Sequence, residues 1–343
     1  MAIVNNQKIA VILFNLGGPD QPAAVHPFLI NLFSDPNIIT APGPVRWFLA
    51  RFIAWRRTAK AREIYAKIGG GSPIVRETGK QAMALQDMLK NQGLINLRCF
   101  TVMRYWNPRA KDVVQELKEF APEHVILLPL YPQFSTTTTR SSLQEWRSVA
   151  LSAGLTATVH EICCYPDQPD FITAHAALIQ AQAPEYFGIA ANNKAQLLFS
   201  AHGLPQKIVD AGDPYPQQVL RTASAIAAKL GLVQEDWEIC YQSRVGPLKW
   251  LGPSTEERLQ AAGQAGAAVV LVPIAFVSEH SETLVELDMD YKHLAEAAGV
   301  PNYIRIAALG VQPDFVRGLS QLVQNVLSHP VLCGSHSVKC LID

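Results

Sequence analysis

VVLVPIAFVSEHSETLVELDMDY (Val269–Tyr291) is the stretch on which the fold turns. Its first part, Val269–Val277, is continuously apolar and β-branched, as in a strand covered on both faces and hence in a parallel sheet. The run stops at Ser278, a residue type that caps helices, and a helix is expected to follow. That helix packs Glu279, His280, Glu282, Glu286, Asp288 and Asp290 into twelve residues. Steps of three and four put Glu279, Glu282, Glu286 and Asp290 on one stripe, with Leu284, Leu287 and Tyr291 left for packing. No Lys or Arg appears before Lys292, so the segment does not neutralise itself. One reading is a solvated acidic turn set against the helix dipole. The other is a row of carboxylates beside an imidazole at the carboxyl end of a parallel strand, where a cation is held and led inward.

The same alternation recurs outward from this stretch. Strand-like runs lie at Ile9–Leu16, Arg98–Met103, Val125–Leu130, Thr156–Ile162, Gln196–Ser200, Trp237–Gln242 and Tyr303–Ala307, with helical stretches between them. The chain also echoes itself. AVILFNLGGP (Ala10–Pro19) is similar to AQLLFSAHGLP (Ala195–Pro205), and HVILLPLYPQFS (His124–Ser135) to AVVLVPIAFVS (Ala268–Ser278). The expected fold is α/β: two Rossmann-like units, each a mostly parallel sheet flanked by helices, with the active-site cleft between them. The expected division is 6–168, 169–330 and a cysteine-containing tail at 331–343.

With 343 residues, 49% of them hydrophobic, the chain has core enough for two domains. Its formal net charge of zero argues against a general nucleic-acid partner. No apolar run reaches the roughly 20 residues of a spanning helix. The first apolar run leads into Gly17-Gly18-Pro19 without a small-residue cleavage pattern, so it reads as a strand and the expected location is cytoplasmic. Six cysteines (Cys99, Cys163, Cys164, Cys240, Cys333, Cys340) are too sparse for a disulfide framework. Neither a G-x-G-x-x-G nor a P-loop is present, so nucleotide binding is not expected.

Between Asp35 and Glu63 there is no acid, yet there are Arg46, Arg51, Arg56, Arg57, Lys60 and Arg62, interleaved with Trp47, Phe48, Phe52 and Trp55. A surface helix with snorkelling cations would look like this. So would an apolar, basic lip that rests on an anionic membrane face and admits a greasy, acidic ligand. The second reading is favoured, because exposed aromatics rimmed by arginine call for a partner. IGGGSPI (Ile68–Ile74) offers backbone N–H groups and Ser72 to a carboxylate. Arg104-Tyr105-Trp106 and Tyr131–Ser135 stand at strand ends, where parallel sheets bind ligands. In SAHGLP, His202 lies just past a buried strand and beside Gly203, which lets a large flat molecule come near; its imidazole suits a ligand or a base. Trp250, in YQSRVGPLKWLGPSTEE (Tyr241–Glu257), is fit to stack on a planar ring.

These motifs (LFNLGGP, RRTAK, IGGGSPI, RYWNP, YPQFS, SAHGLP, GDPYPQ, QSRVGPLKWLGP and VPIAFVSEHSETLVELDMDY) occur in an order that resembles the ferrochelatases, from about Ile9 to about Leu327. The resemblance implies a class II chelatase fold and insertion of ferrous iron into protoporphyrin IX, giving protoheme and two protons at the last step of heme biosynthesis. It implies His202 and Glu282 as the catalytic and metal-binding pair, facing each other across the macrocycle, with His280, Glu286, Glu279 and Asp290 as secondary metal residues. His202 is then proton acceptor or final iron ligand, and both roles stay open. Relatives more often carry Asp where Glu279 stands, and often Met where Leu16 stands. The implied porphyrin-binding residues are Leu16, Phe28, Leu32, Arg56, Arg57, Tyr65, Ser72, Arg104, Tyr105, Tyr131 and Trp250. A ring held bent exposes its nitrogen lone pairs on one face, which is strain drawn from remote binding energy. No cofactor is required for the chemistry, and ferrous iron is a substrate. Some relatives carry a two-iron, two-sulfur cluster, for which Cys163, Cys164, Cys333 and Cys340 are the candidate ligands here; the animal-type position is Thr136 instead. The implied partners are protoporphyrin IX, ferrous iron, the inner-membrane surface as a peripheral contact, and a second copy in a homodimer. The competing readings are a cobalt chelatase of the same fold acting on a corrin precursor, and a non-catalytic tetrapyrrole or metal carrier.

Overall fold

The computed structural model describes residues 7–188, 195–244, 248–328 and 331–333. Two compact units divide the chain: Met1–Tyr165 with Leu319–Asp343, and Pro166–Gly318. The first unit contains β1 (Ile9–Asn15), α1 (Val25–Phe33), α2 (Gly43–Ala66), α3 (Ile74–Asn91), β2 (Leu97–Met103), α4 (Ala110–Phe120), β3 (His124–Pro129), α5 (Ser141–Ser152) and β4 (Thr158–Cys164). The second contains α6 (Pro169–Gln182), β5 (Ala195–His202), α7 (Gln206–Asp210), α8 (Tyr215–Leu230), β6 (Trp237–Gln242), α9 (Thr255–Gln264), β7 (Ala268–Pro273), α10 (Tyr291–Ala298) and β8 (Tyr303–Arg305). α11 (Pro313–Val326) runs across the boundary at Leu319 and leads to β9 (Val331–Cys333).

Continuous hydrophobicity has the consequence it predicts. Every residue of β1 and β7 is buried, which only a strand flanked by two others and covered on both faces can achieve. The first sheet has the order β2-β1-β3-β4-β9 and the second β6-β5-β7-β8, all pairs parallel. The echo in the sequence is thus an echo in position: β1 and β5 are the second strands of their sheets, β3 and β7 the third. The cores are apolar layers between sheet and helices, built around Ile12, Phe14, Leu127 and Trp146 in the first unit and Leu198, Val269, Leu271 and Leu287 in the second.

Two expectations are corrected. The strand expected over Val269–Val277 ends at Pro273, which has no N–H to continue the ladder. Ile274 still donates to the Ser200 carbonyl, and the chain then turns. The helix begins at Glu282 rather than after Ser278, because Thr283 Oγ1 takes up the His280 N–H at 3.0 Å and Leu284 N donates to His280 O at 2.9 Å. It is a π-helix over Glu282–Asp290, not the α-helix that the three-and-four spacing suggested. Val331 and Leu332, at the start of the expected tail, pair in parallel with Glu161 and Ile162. Among the described residues no helix is long and apolar enough to cross a membrane.

Candidate active site at the carboxyl end of the second sheet

β5 ends on Ser200-Ala201-His202. Ser200 is buried and donates to Gln242 on β6 at 2.9 Å, which fixes the strand end. Gly203 follows because nothing larger fits: a Cβ there would lie 2.7 Å from the Gln242 carbonyl and 3.3 Å from the Trp250 ring. His202 Nδ1 sits 2.6 Å from the Gly203 carbonyl. A carbonyl only accepts, so Nδ1 carries the proton and Nε2 is turned outward. Nε2 lies 3.6 Å from Glu282 Oε2, with side chains 40% and 33% exposed. The same carboxylate oxygen is 3.6 Å from His280 Nε2, and His280 Nδ1 is held by the Ser278 carbonyl at 3.1 Å. Two imidazoles, each fixed through its far nitrogen by a backbone carbonyl, therefore present Nε2 to one carboxylate. The Phe276 ring stands edge-on between them, 6.2 Å from His202 and 4.5 Å from His280.

Electrostatics follow from this geometry. Burial pushes His202 down, but the Glu282 charge beside it more than reverses that and lifts it to about 9. Burial pushes Glu282 up, and His202 and then His280 pull it well below the usual carboxylate range. Glu286 is raised, first by burial and then by the Glu282 charge. Glu286 accepts from Ser243 N at 2.8 Å, Ser243 Oγ at 2.6 Å and the Tyr291 hydroxyl at 2.9 Å. Ser243 has φ +61°, a left-handed conformation that a non-glycine residue rarely adopts without such bonds to hold it.

Of the residues singled out in the sequence, His202, Glu282 and His280 are brought together, and Glu286 follows Glu282 one turn on. Asp290 is exposed at the end of the π-helix. Glu279 is not in the group: it is ion-paired to Arg305 at 2.6 Å. Trp250 is on the His202 side, bridged to Pro205.

The other predicted binding residues belong to the first unit. Leu16, Phe28, Leu32, Tyr65 and Tyr105 gather in one apolar cluster under α1 and α2, with Phe28 and Tyr65 largely inside it. Arg56 and Arg57 are exposed on α2. Ser72 is pinned by its N–H to the Pro19 carbonyl at 2.6 Å. Arg104 and Tyr105 are both held by partners within the protein. Arg104 pairs with Asp35 at 2.9 Å and Glu145 at 3.3 Å, and the fully buried Tyr105 donates its hydroxyl to Asp35 at 2.7 Å. Tyr131 is buried in the core of the first sheet with its hydroxyl 3.5 Å from Ser142.

The cysteines meet at the β4 edge. Cys333 Sγ is 3.6 Å from Cys163 Sγ and 3.8 Å from Cys164 Sγ. Among the described residues this is the one place where three potential metal-ligand side chains bring their donor atoms within 4.8 Å of one another. Cys340 lies outside the described residues. Phe276, Gln242 and Ser243, quoted only within longer motifs, and Arg305 were not singled out as site residues. Each acts through a partner far away in the chain.

The family model for ferrochelatase matches residues 8–327. A ferrochelatase of Caulobacter vibrioides is 51% identical over 320 residues, covering 93% of this chain and 90% of that protein. One of Pelagibacter ubique is 46% identical over 344 residues, covering 97% and 98%. One of a Wolbachia species is 49% identical over 320 residues, covering 93% and 99%. Among solved structures, SirB from Bacillus subtilis with Fe3+ superposes with a TM-score of 0.56 at 10% identity, covering 93% of this chain and 95% of that one, a likeness of fold.

Proposed function

Because the chain belongs to the ferrochelatase family, we propose that His202 and Glu282 carry out here the reaction of that family, a lyase reaction that inserts ferrous iron into protoporphyrin IX with loss of two protons. The observation that carries the assignment is the arrangement of two outward Nε2 atoms, each 3.6 Å from the same Glu282 oxygen. At that separation no hydrogen bond is closed, so the three groups remain available to an incoming species.

The chemistry divides between them. At neutral pH the raised imidazole of His202 rests as a cation against the Glu282 carboxylate. A ferrous ion brought beside an imidazolium lowers its proton affinity, so metal delivery and formation of a neutral base are coupled. The Nε2 proton leaves by way of Glu282 toward Glu286 and solvent; the freed imidazole then accepts one pyrrole proton at a time, and each leaves by the same route. Glu286, raised by burial and by Glu282, takes the next place in the line. Trp250, bridged to Pro205 on the His202 side, supplies ring-binding surface, which gives affinity rather than rate.

His202→Ala is expected to abolish ferrous (or zinc) insertion into protoporphyrin while leaving porphyrin affinity within about tenfold. Equal loss of both would mean that His202 shapes the pocket and does no chemistry.

Two finer readings are part of the proposal. On α2, Trp47, Phe48, Phe52 and Trp55 are 56%, 64%, 44% and 70% exposed, with Arg51 stacked 3.7 Å over Trp47. This supports a peripheral contact with an anionic membrane face. Trp47→Ala with Trp55→Ala should reduce co-sedimentation with anionic vesicles, and unchanged sedimentation removes the membrane contact. For a two-iron, two-sulfur cluster each iron takes two thiolates, and the 3.6 Å Cys163–Cys333 pair has about the spacing, roughly 3.8 Å, of two sulfurs on one tetrahedral iron at about 2.3 Å. Cys163, Cys164 and Cys333 would hold it, with Cys340 as the fourth ligand. Such a cluster would supply a coloured, oxidisable centre. A colourless porphyrin-free protein without stoichiometric iron and sulfide ends that idea.

A further inference from the structure

The short edge strand β8 places two side chains against the π-helix. Arg305 is nearly buried, and its guanidinium reaches both ends of the turn that carries the site: Nη1 to Glu279 Oε1 at 2.6 Å and Nε to Asp288 Oδ1 at 2.7 Å, with Nη2 closing the fork on the second Asp288 oxygen. Glu279 is further held by Ala308 N at 2.9 Å. Two residues away on the same strand, the Tyr303 hydroxyl donates to the Leu287 carbonyl at 2.8 Å. β8 is itself registered on β7, Tyr303 opposite Val269 and Arg305 opposite Leu271. The π-helix is thus fastened to the strand that leads into it.

A π-helix needs such a fastening. Its hydrogen bonds span one more residue than those of an α-helix, and runs of more than one turn are rare. Glu282, Glu286, Asp288 and Asp290 also repel one another along it. A slip to α geometry would turn Glu286 away from Ser243 and change the angle between Glu282 and His202. The bidentate grip on Asp288 opposes that slip, and with the Glu279 pair it removes two of the five acids of the stretch from any part in holding a cation.

We infer that Arg305 and Tyr303 are positioning residues, which fix the π-helical register that aims Glu282 and Glu286; the inference rests on the assignment of those carboxylates above. Arg305→Lys keeps the charge and loses the fork. It is expected to lower kcat for metal insertion at least about tenfold with the porphyrin KM within about twofold, and to speed amide exchange over 282–290 about tenfold. Tyr303→Phe removes one hydroxyl and should move the same two readouts in the same direction by about threefold; it carries the test if Arg305→Lys does not fold. Wild-type exchange over 282–290, wild-type kcat, or a loss confined to KM would overturn the inference. A wild-type protein that inserts no metal would instead sink the site assignment, with the exchange measurement still deciding the clamp.

Discussion

In the first sheet β3 runs into Ser135, one π-helical turn (Thr136–Arg140) and then α5; in the second β7 runs into Ser278, a short turn, the longer π-helix of Glu282–Asp290 and then α10. The first four strands of each sheet follow one order, yet the polar groups at their carboxyl ends are finished in opposite ways. At the first, Asp35 is wholly buried and closed by Arg104, the Tyr105 hydroxyl and Ser141. Burial alone would raise that carboxyl, but Arg104 and the two hydroxyls outweigh it and hold it below its usual range. At the second, His202 and Glu282 stand 3.6 Å apart and a third or more exposed. A closed charge network stabilises a fold. An unclosed one can take up a proton or a cation, and of these two strand-end groups the one in the second unit is unclosed.

The largest effect that would break this contrast is kinetic. Glu282→Gln keeps the shape and removes the charge that raises His202. It should slow ferrous insertion by about 10²–10⁴-fold, the usual worth of a positioned acid–base group, while the melting temperature hardly moves. Activity within a few-fold of wild type would mean that the second strand end is no more chemical than the first.

The matching change in the first unit should read out in stability instead. Asp35→Ala leaves Arg104, 13% exposed, without its nearest acid, and removing one partner of a buried pair costs about 3–5 kcal/mol. Urea unfolding would measure that loss. The folded fraction should keep kcat within about twofold, since no reacting group has been touched. A variant of wild-type stability and low kcat would make Asp35 part of the reaction and erase the distinction.

How far the sequence already contained this contrast depends on how local each feature is. The parallel sheets were legible because continuous Val/Ile/Leu runs admit few other placements, and the duplication because two strand–turn segments kept their spelling. His202 and Glu282 were legible because a strand end and an acidic stretch are contiguous. The π-helix was not: an acid row at steps of three and four reads as α, and what holds the other geometry is Arg305, fifteen residues past Asp290 in an unremarkable YIR. The partner of Arg104 was not legible for the same reason. An arginine at a strand end looks like a ligand for an anion, and the anion it meets is Asp35, sixty-nine residues earlier. Pairings between distant polar groups leave no periodic trace. β9 was hidden as well, because three residues are too few to show a pattern.

The smallest predicted effect concerns the cores, where the contrast is reversed. In the first unit His160 and His124 satisfy each other: Gln7 Oε1 accepts from His124 Nε2 at 3.2 Å, which leaves His124 Nδ1 to accept from His160 Nε2 at 3.0 Å. In the second unit His175 of α6 is fully buried, edge-on to Phe171 at 4.8 Å, and neither ring nitrogen meets a partner among the described residues. Burial therefore pushes its imidazole down from 6.5 to about 3. Between those values the unfolded chain binds the extra proton and the folded one does not. This contribution to stability is therefore fully present above pH 6.5 and lost at about 1.4 kcal/mol per unit as the pH falls toward 3. At pH 5 the deficit is about 2 kcal/mol. His175→Leu, close in volume and without the titrating group, should be at least as stable as wild type at pH 7 and gain a further margin of about 2 kcal/mol at pH 5 in urea unfolding. A margin that does not change with pH would mean that the imidazole finds a proton partner inside the second core, leaving the two cores alike in how they treat a buried histidine.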